Sequence, residues 1–303
     1  MFSSPSGAAK LSLAVVAGLI GLKLAVAVIT GSISIVAQAT DSFLDLFAVG
    51  IAFFAITVAA KPADKEHPFG HGKVEGIAAA VQAVLIFSAA GLIIYSAIQR
   101  MITGVVVELT EAGMAVMLVS IVASLFLSRH LLRVSRATGS IALEANAHNI
   151  AADVYSAAGV LVALLIIRFT GLSIFDPIIA LMVALFILKA GYGVIRRSFG
   201  ELVDTRLPQP EEDSVRSAIM KHGCQIAGFH DLRTRKAGRQ RYVDLHLVMP
   251  KSANVAETHR ICDSLEQDIK DWLPNTSVTI HVEPGEVDCE QCSVSCTIRD
   301  RFD

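Results

Sequence analysis

EANAHNIAADVYSAAGVLVALLIIRF, residues 144–169, combines the apolarity of a membrane-spanning helix with a polar first half. That first half contains Asn146, His148, Asn149 and Asp153. Polar and ionisable groups cost several kcal/mol in hydrocarbon unless they face a partner, water or a ligand. We therefore expect this helix to cross a bilayer and to hold something against its polar face.

The composition indicates a membrane protein with a soluble region. Of the 303 residues, 53% are hydrophobic and 18% charged, which is too apolar for an ordinary soluble domain. The long apolar runs end near residue 200, and the chain from Asp204 onward is charged. The net charge of −2 says nothing useful about nucleic-acid binding, and no basic tract suggests it, so we expect no nucleic-acid partner. No small-residue cleavage site follows a short apolar segment at the N-terminus, so we expect no removable signal peptide.

Six segments are long enough to cross a bilayer, which takes about 20 mostly apolar residues. They lie near residues 11–31, 34–60, 75–101, 111–133, 140–169 and 176–196. Most Lys and Arg residues near their ends fall on one side, which the positive-inside rule assigns to the cytoplasm together with both termini. That side has Lys10, Lys61, Lys65, Lys73, Arg129, Arg133, Arg136, Arg196 and Arg197, against Arg100 and Arg168 on the other.

The region after the last span alternates helix and strand signals in the order α-β-β-α-β. PEEDSVRSAIMKHG predicts an amphipathic helix, and AGFHDLRTRKAG with RQRYVDLHLVMP predicts a β-hairpin. A helix capped by Asn254 and the strand SVTIHVEP follow. We expect a small open sheet with helices on one face. The predicted division is a transmembrane domain over 1–203, a cytoplasmic α+β domain over 204–288 and a tail over 289–303.

Two pairs of polar residues share one spacing in two predicted spans. Asp41 and Asp45 are four residues apart, as are Asn149 and Asp153, so each pair lies on one helical face. At about 1.5 Å per residue, both pairs come near the middle of a slab about 30 Å thick. Hydrogen bonding between helices would explain one such acid better than three. Because uncompensated carboxylates repel one another, the natural partner of this set is a cation.

Three further groups have the residue types of metal ligands. Asp64, His67 and His71 have the spacing of a surface Zn²⁺ site completed by water, although a solvated polar loop explains them equally well. The strands and helix of the soluble region carry His230, His246, His259, His281 and Glu283. CEQCSVSC contains Cys289, Cys292 and Cys296. These cysteines could form a metal site or belong to an unstructured tail. The total of five cysteines favours a reducing compartment over a disulfide framework.

These stretches resemble the cation diffusion facilitators over nearly the whole chain, from ITGSISIVAQATDSFLDLF through HPFGHGKVEG to FHDLRTRKAG and TIHVEP. The resemblance implies a homodimer of six-helix units in a bacterial inner membrane. Each unit would carry a cytoplasmic domain of ferredoxin-like, metallochaperone-like fold and would export divalent metal in exchange for protons. No prosthetic group is implied, since the metal ion is the substrate and a regulatory ligand.

The resemblance also assigns residues. The family's transport site is an Asp-x-x-x-Asp pair facing a His-x-x-x-Asp pair; Asp41, Asp45 and Asp153 match it, whereas Asn149 stands at the His position. His148 is one residue early, on a face turned about 100° away. Asp64, His67 and His71 match the family's loop site. The sites of the family's soluble domain are matched by His230, His246, His259 and His281, with Glu283 at a position where Asp is common. Lys73 and Asp204 match a charge pair that joins the membrane and soluble halves.

The residue at position 149 affects which metal ion the transport site should prefer. Three carboxylates and a carboxamide oxygen suit Mn²⁺, whereas an imidazole would favour Zn²⁺. Some bacterial manganese exporters of the family are similar in having Asn there. We therefore expect Mn²⁺, with Fe²⁺ and Zn²⁺ as alternatives, because Mg²⁺ dehydrates reluctantly and Ca²⁺ takes more ligands.

Two other classes of function, a metal sensor or scaffold and an intramembrane hydrolase, fit the sequence less well than transport. A metal-responsive sensor or scaffold would bind metal without moving it, but it has no need for ligands in the middle of the membrane. An intramembrane hydrolase could use the carboxylates, but the sequence has no His–Glu metalloprotease motif. We therefore expect a transporter rather than an enzyme.

Overall fold

The computed structural model describes residues 4–30, 33–103, 111–170, 172 and 174–285. The chain divides into two compact units, Met1–Gly200 and Glu201–Asp303. Six long helices build the first unit: α1 Pro5–Thr30, α2 Ile33–Ala59, α3 Lys73–Thr103, α4 Glu111–Thr138, α5 Ile141–Thr170 and α6 Phe175–Leu202, whose last residues reach the second unit.

Within the described residues, five helices are long and apolar enough to cross a membrane. These stretches are Pro5–Ile29, Lys73–Thr103, Met114–Thr138, Ile141–Ile167 and Phe175–Leu202. In α2 the apolar stretch is shorter, Asp45–Ala59. A helical membrane unit is therefore confirmed, and the sixth span stays a prediction.

Helix α5 lies between two groups of helices. Ala147 and Ile150 belong to a core cluster with residues of α1, α2 and α4. Ala152, on another face of α5, packs in a cluster with Ile86 of α3 and Ile187 of α6. Alanines are frequent in both clusters, and small side chains let helix backbones approach closely, as is usual between membrane helices.

Side-chain hydrogen bonds join α5 to its neighbours. The Asn146 amide nitrogen donates to Ser12 Oγ of α1 at 3.1 Å. The Ser128 hydroxyl of α4 donates to the Ala147 carbonyl of α5 at 3.0 Å. Both bonds satisfy polar groups away from water, where an unmade hydrogen bond is expensive.

The second unit has the predicted element order α-β-β-α-β. Its elements are α7 Gln209–Lys221, β1 Gly228–Ala237, β2 Gln240–Met249, α8 Val255–Trp272 and β3 Thr276–Pro284. The sheet order is β1-β2-β3, with β1 antiparallel and β3 parallel to β2. Gly238, with φ of 60°, turns the β1–β2 hairpin. The Asn254 side chain caps α8 by accepting from the Glu257 N–H at 2.9 Å.

Alternation along β2 separates a buried face from a metal-ligand face. Val243, Leu245 and Leu247 are buried in a core that includes residues of α7 and α8. His246 lies between two of these residues, so its side chain points to the other face of the sheet. Both helices therefore pack on one face and leave the histidine face uncovered by them.

Candidate metal sites

A cavity of about 230 Å³ lies in the first unit among α1, α2, α4 and α5. Asp45 of α2 and Asp153 of α5 both line it. The other polar lining residues are Lys23, Ser42, Ser120, Ser124 and Ser156. Two carboxylates from different helices thus share one partly polar cavity between the helices.

Both acids lie near the middle of their helices. Asp45 comes twelve residues after the start of α2, and Asp153 comes twelve after the start of α5. At about 1.5 Å per residue, each is roughly 18 Å from the beginning of its helix. The helices have 27 and 30 residues, so neither carboxylate is at a helix end.

The other two proposed transport ligands are placed differently. Asp41 belongs to α2, one turn before Asp45, and its side chain lies outside the described part of the structure. Asn149 is one turn before Asp153 and only 8% exposed, and it is not among the residues that line the cavity. The structure therefore brings Asp45 and Asp153 to one cavity, and the four-ligand set stays a prediction.

His148 points to a different partner. Its Nε2 lies 3.8 Å from Glu144 Oε1, one turn earlier on α5. The same Glu144 oxygen is 2.7 Å from Arg197 Nη1 of α6. His148 thus lies beside the Glu144–Arg197 ion pair between α5 and α6, and it is not a lining residue of the cavity.

Lys23 and Ser42 were not predicted from the sequence. Lys23 Nζ donates to Ser42 Oγ at 2.5 Å, and both residues line the cavity beside Asp45. A lysine in a membrane helix costs about as much free energy as an aspartate does. Lys23 is the one lysine in the second half of α1, and this was the sequence signal that it lines a polar cavity.

The loop before α3 brings its three proposed ligands together. Ligand atoms of Asp64, His67 and His71 all lie within 4.8 Å of one another. Asp64 Oδ1 is 3.2 Å from His67 Nδ1, and Asp64 Oδ2 is 3.4 Å from His71 Nε2. With metal–ligand bonds near 2.0 Å, the edges of a tetrahedral Zn²⁺ site are roughly 3.3 Å long, so these separations fit a small ion.

Backbone N–H groups hold the Asp64 carboxylate in its charged form. The N–H groups of His67 and Glu66 donate to Asp64 Oδ1 at 2.7 and 3.0 Å. The hydrogen bond from His67 is the main cause that lowers the pKa of Asp64 below its usual value. The oxygen is therefore available as an anionic ligand at neutral pH.

Three histidines form a ladder across the open face of the sheet. The strand register pairs His230 with His246 and His246 with His281. Their ring centroids are 5.1 and 4.7 Å apart along the ladder. Glu283 reaches all three, with carboxylate oxygens 3.1 Å from His230 Nε2, 2.8 Å from His246 Nδ1 and 3.7 Å from His281 Nε2. His230, His246 and Glu283 form a compact ligand group.

Glu283 is the anionic centre of this ladder. Hydrogen bonding with His246 is the main cause that lowers the pKa of the Glu283 carboxyl group, and His230 adds to it. The lowered pKa keeps the Glu283 carboxylate available as an anionic ligand near neutral pH. Two nitrogens and one oxygen at these separations fit a small divalent ion.

His259 is not part of that compact group. It lies on α8, where its Nε2 is 3.6 Å from Asp263 Oδ2 and its side chain is exposed. Its role as a metal ligand stays a prediction. Cys289, Cys292 and Cys296 lie outside the described residues.

The predicted charge pair of Lys73 and Asp204 would join the two units. Within the second unit, Asp204 accepts from Arg235 Nη1 at 3.3 Å. The link between Lys73 and Asp204 stays a prediction.

Comparison with known proteins defines the class of this molecule. The model of the cation efflux transmembrane domain matches residues 9–203, and that of the cation efflux protein cytoplasmic domain matches residues 207–285. The chain belongs to the cation diffusion facilitator family, as the sequence motifs indicated. It is therefore an integral membrane protein and a transporter rather than an enzyme, in a family that transports divalent metal ions.

Two relatives that match most of this chain agree with the family assignment. The uncharacterized transporter sll1263 of Synechocystis sp. is 34% identical over 92% of this chain and 90% of its own length. The cation-efflux pump FieF of Shewanella oneidensis is 33% identical over 93% of this chain and 94% of its own. A solved structure of CzrB, a proposed zinc transporter, is 36% identical over 26% of this chain and 98% of that chain, with a TM-score of 0.25.

Proposed function

We propose that this chain exports a divalent transition metal, Mn²⁺ above Fe²⁺ and Zn²⁺, from the cytoplasm by exchange for protons. The observation that supports this most is the shared cavity of Asp45 and Asp153 in the middle of two long helices. A sensor needs no carboxylates at that depth, whereas a transporter needs a site that each side of the membrane can reach in turn.

The proposed ligands are Asp41, Asp45, Asn149 and Asp153. All four offer oxygen, which suits Mn²⁺ better than a site with imidazole would. Carboxylates also bind protons, so the same atoms could carry protons on the return step. Exchange of a metal ion for protons at one site is the simplest mechanism that these groups allow.

Membership of the family supports a proposal for the whole assembly. We propose a homodimer with six spans per protomer and both termini in the cytoplasm of a bacterial cell. The transmembrane domain would cover 1–203, the metal-binding dimerisation domain 204–288 and the cysteine-containing tail 289–303. The loop cluster of Asp64 and the histidine ladder around Glu283 would bind regulatory metal.

Flux into proteoliposomes tests the proposal. Purified protein is reconstituted, a proton gradient is imposed, and uptake of Mn²⁺, Fe²⁺ and Zn²⁺ is measured in parallel with protein-free vesicles as control. We expect uptake that depends on the proton gradient and is most efficient for Mn²⁺. Metal binding without uptake of any of the three ions would instead indicate a sensor.

A further inference from the structure

We infer that Lys23 is a fixed positive charge in the transport cavity. It brings the net charge of the site to the value that one divalent ion neutralises, and it keeps the affinity low enough for that ion to be released. This inference rests on the proposed function, because it assigns a role within the same cavity. The inferred role concerns the affinity of the cavity for its ion and the preference of the cavity for divalent over trivalent ions.

The ammonium group lies among the cavity's polar groups. Lys23 Nζ is 2.5 Å from Ser42 Oγ, and Ser42 is buried one turn before Asp45 on α2. Side chains on a helix tilt toward its N-terminus, so Lys23 points away from the nearby end of α1. Lys23 is roughly 10 Å from that end and Ser42 roughly 14 Å from the start of α2, and this tilt accounts for their meeting.

The formal charges of the proposed site show what Lys23 would change. In the proposed ligand set, Asp41, Asp45 and Asp153 would bring three negative charges to the site, and Asn149 would bring none. With Lys23 the total is −2, the charge that one divalent ion neutralises. Without Lys23 the site would have an excess of negative charge with any divalent ion bound.

The expected effect on affinity has a definite sign. Coulomb repulsion between the ammonium group and a bound ion grows with the charge of the ion. Lys23 therefore weakens binding of a divalent ion and weakens binding of a trivalent ion more. A weaker site releases its ion faster, which a transporter requires and a storage site does not.

A purely structural role predicts the opposite sign. If Lys23 only held Ser42 and α2 in place, its removal would disorder the ligands and weaken metal binding. The direction of the change in Kd therefore separates the two roles.

The test compares Lys23→Met and Lys23→Gln with the parent, using Mn²⁺ and the trivalent Tb³⁺ as probes on the full chain in detergent. Lys23→Arg retains the charge. Lys189→Met is the matched control, since Lys189 is a lysine of α6 that does not line the cavity. Binding at the cavity is defined as the part lost in Asp153→Asn.

We expect both uncharged variants to bind Mn²⁺ about tenfold more tightly, which corresponds to about 1.4 kcal/mol. Since the Coulomb term scales with ion charge, Tb³⁺ should gain about thirtyfold. Proteoliposome flux at saturating Mn²⁺ should fall because release slows. Lys189→Met should stay close to the parent in both measurements, and Lys23→Arg, which retains the positive charge, should not tighten Mn²⁺ binding.

Three results would be decisive against the inference or its basis. Unchanged or weaker Mn²⁺ binding in the uncharged variants would overturn it. Failure of both to fold would also overturn it, because Lys23 would then be a structural cation. If Asp153→Asn removes no binding, the proposed transport site itself is wrong, which is a distinguishable failure.

Discussion

At the scale of single residues, the polar first half of α5 holds groups with separate partners. Asn146 donates to Ser12 of α1, His148 lies beside Glu144, and Asp153 lines the cavity. Asn149 is buried one turn before Asp153. A helix with this many polar groups can cross a membrane if each group contacts protein or lines a cavity, and these contacts meet that condition for Asn146, His148 and Asp153.

Asn149→His should shift selectivity from Mn²⁺ toward Zn²⁺. The substitution would add an imidazole nitrogen to the proposed all-oxygen ligand set, and nitrogen ligands favour Zn²⁺. A tenfold change in the ratio of Zn²⁺ to Mn²⁺ flux corresponds to about 1.4 kcal/mol, a reasonable size for one ligand exchange. Paired flux assays of parent and variant measure it. A parent that already prefers Zn²⁺ would contradict the assignment of Asn149.

The residues of this cavity were only partly predictable. The four-residue spacing of Asp41 and Asp45 in α2, and of Asn149 and Asp153 in α5, predicts that each pair shares a helical face. The similar depth of the two pairs predicts that these faces meet. Lys23 belongs to no such repeat, so its contact with Ser42 depends on how α1 packs against α2. Packing of this kind is a property of the tertiary structure and leaves no periodic signal in α1.

At the scale of elements, strand register creates the histidine ladder. Antiparallel pairing aligns His230 with His246, and parallel pairing aligns His246 with His281. The sequence predicts histidines on neighbouring strands because each strand alternates polar and apolar residues. It does not predict that Glu283 reaches all three, since that requires the register of a parallel strand after a helix. The irregular register between His230 and Arg233 was equally unpredictable.

Helix α7 is held to β2 by a bidentate ion pair whose strength depends on pH. Arg241 Nε and Nη2 lie 2.6 and 3.1 Å from the two carboxylate oxygens of Glu211. Hydrogen bonding from Arg241 is the main cause that lowers the pKa of Glu211. A carboxyl group whose pKa is lower when folded stabilises the fold above its unfolded pKa, and this contribution is lost as the pH falls through the folded pKa.

Glu211→Gln should therefore destabilise the second unit by about 1 kcal/mol at neutral pH, since the pair is partly screened by solvent. The deficit should be constant above pH 4.5, the ordinary pKa of the group, and should shrink at lower pH. Trp272, the single tryptophan of the chain, lies in α8, so its fluorescence during urea unfolding reports on this unit. An equal deficit at pH 3 and pH 7 would contradict this account of the pair.

At the scale of the whole molecule, metal binding to the second unit should promote association of two protomers. The cytoplasmic-domain family suggests dimers, and the ladder offers a metal-ligand group on the sheet face that α7 and α8 leave uncovered. We expect Zn²⁺ or Mn²⁺ to increase cysteine cross-linking or to compact the scattering profile of the protein.

His246→Ala should remove that response, because His246 is the central rung of the ladder and contacts Glu283 at 2.8 Å. His222→Ala is a suitable control, since His222 pairs with Asp268 elsewhere in the same unit. A metal response that survives in His246→Ala would exclude the ladder as its origin.

The central claim is that Asp45 and Asp153 carry the metal across the membrane, and flux through Asp153→Ala proteoliposomes tests it most directly. Glu144→Gln removes a carboxylate from the same helix without touching the cavity, since Glu144 pairs with Arg197. With equal amounts of folded protein, we predict that Asp153→Ala and Asp45→Ala abolish proton-driven metal uptake while Glu144→Gln retains most of it. Near-normal uptake by either folded aspartate variant would contradict the claim.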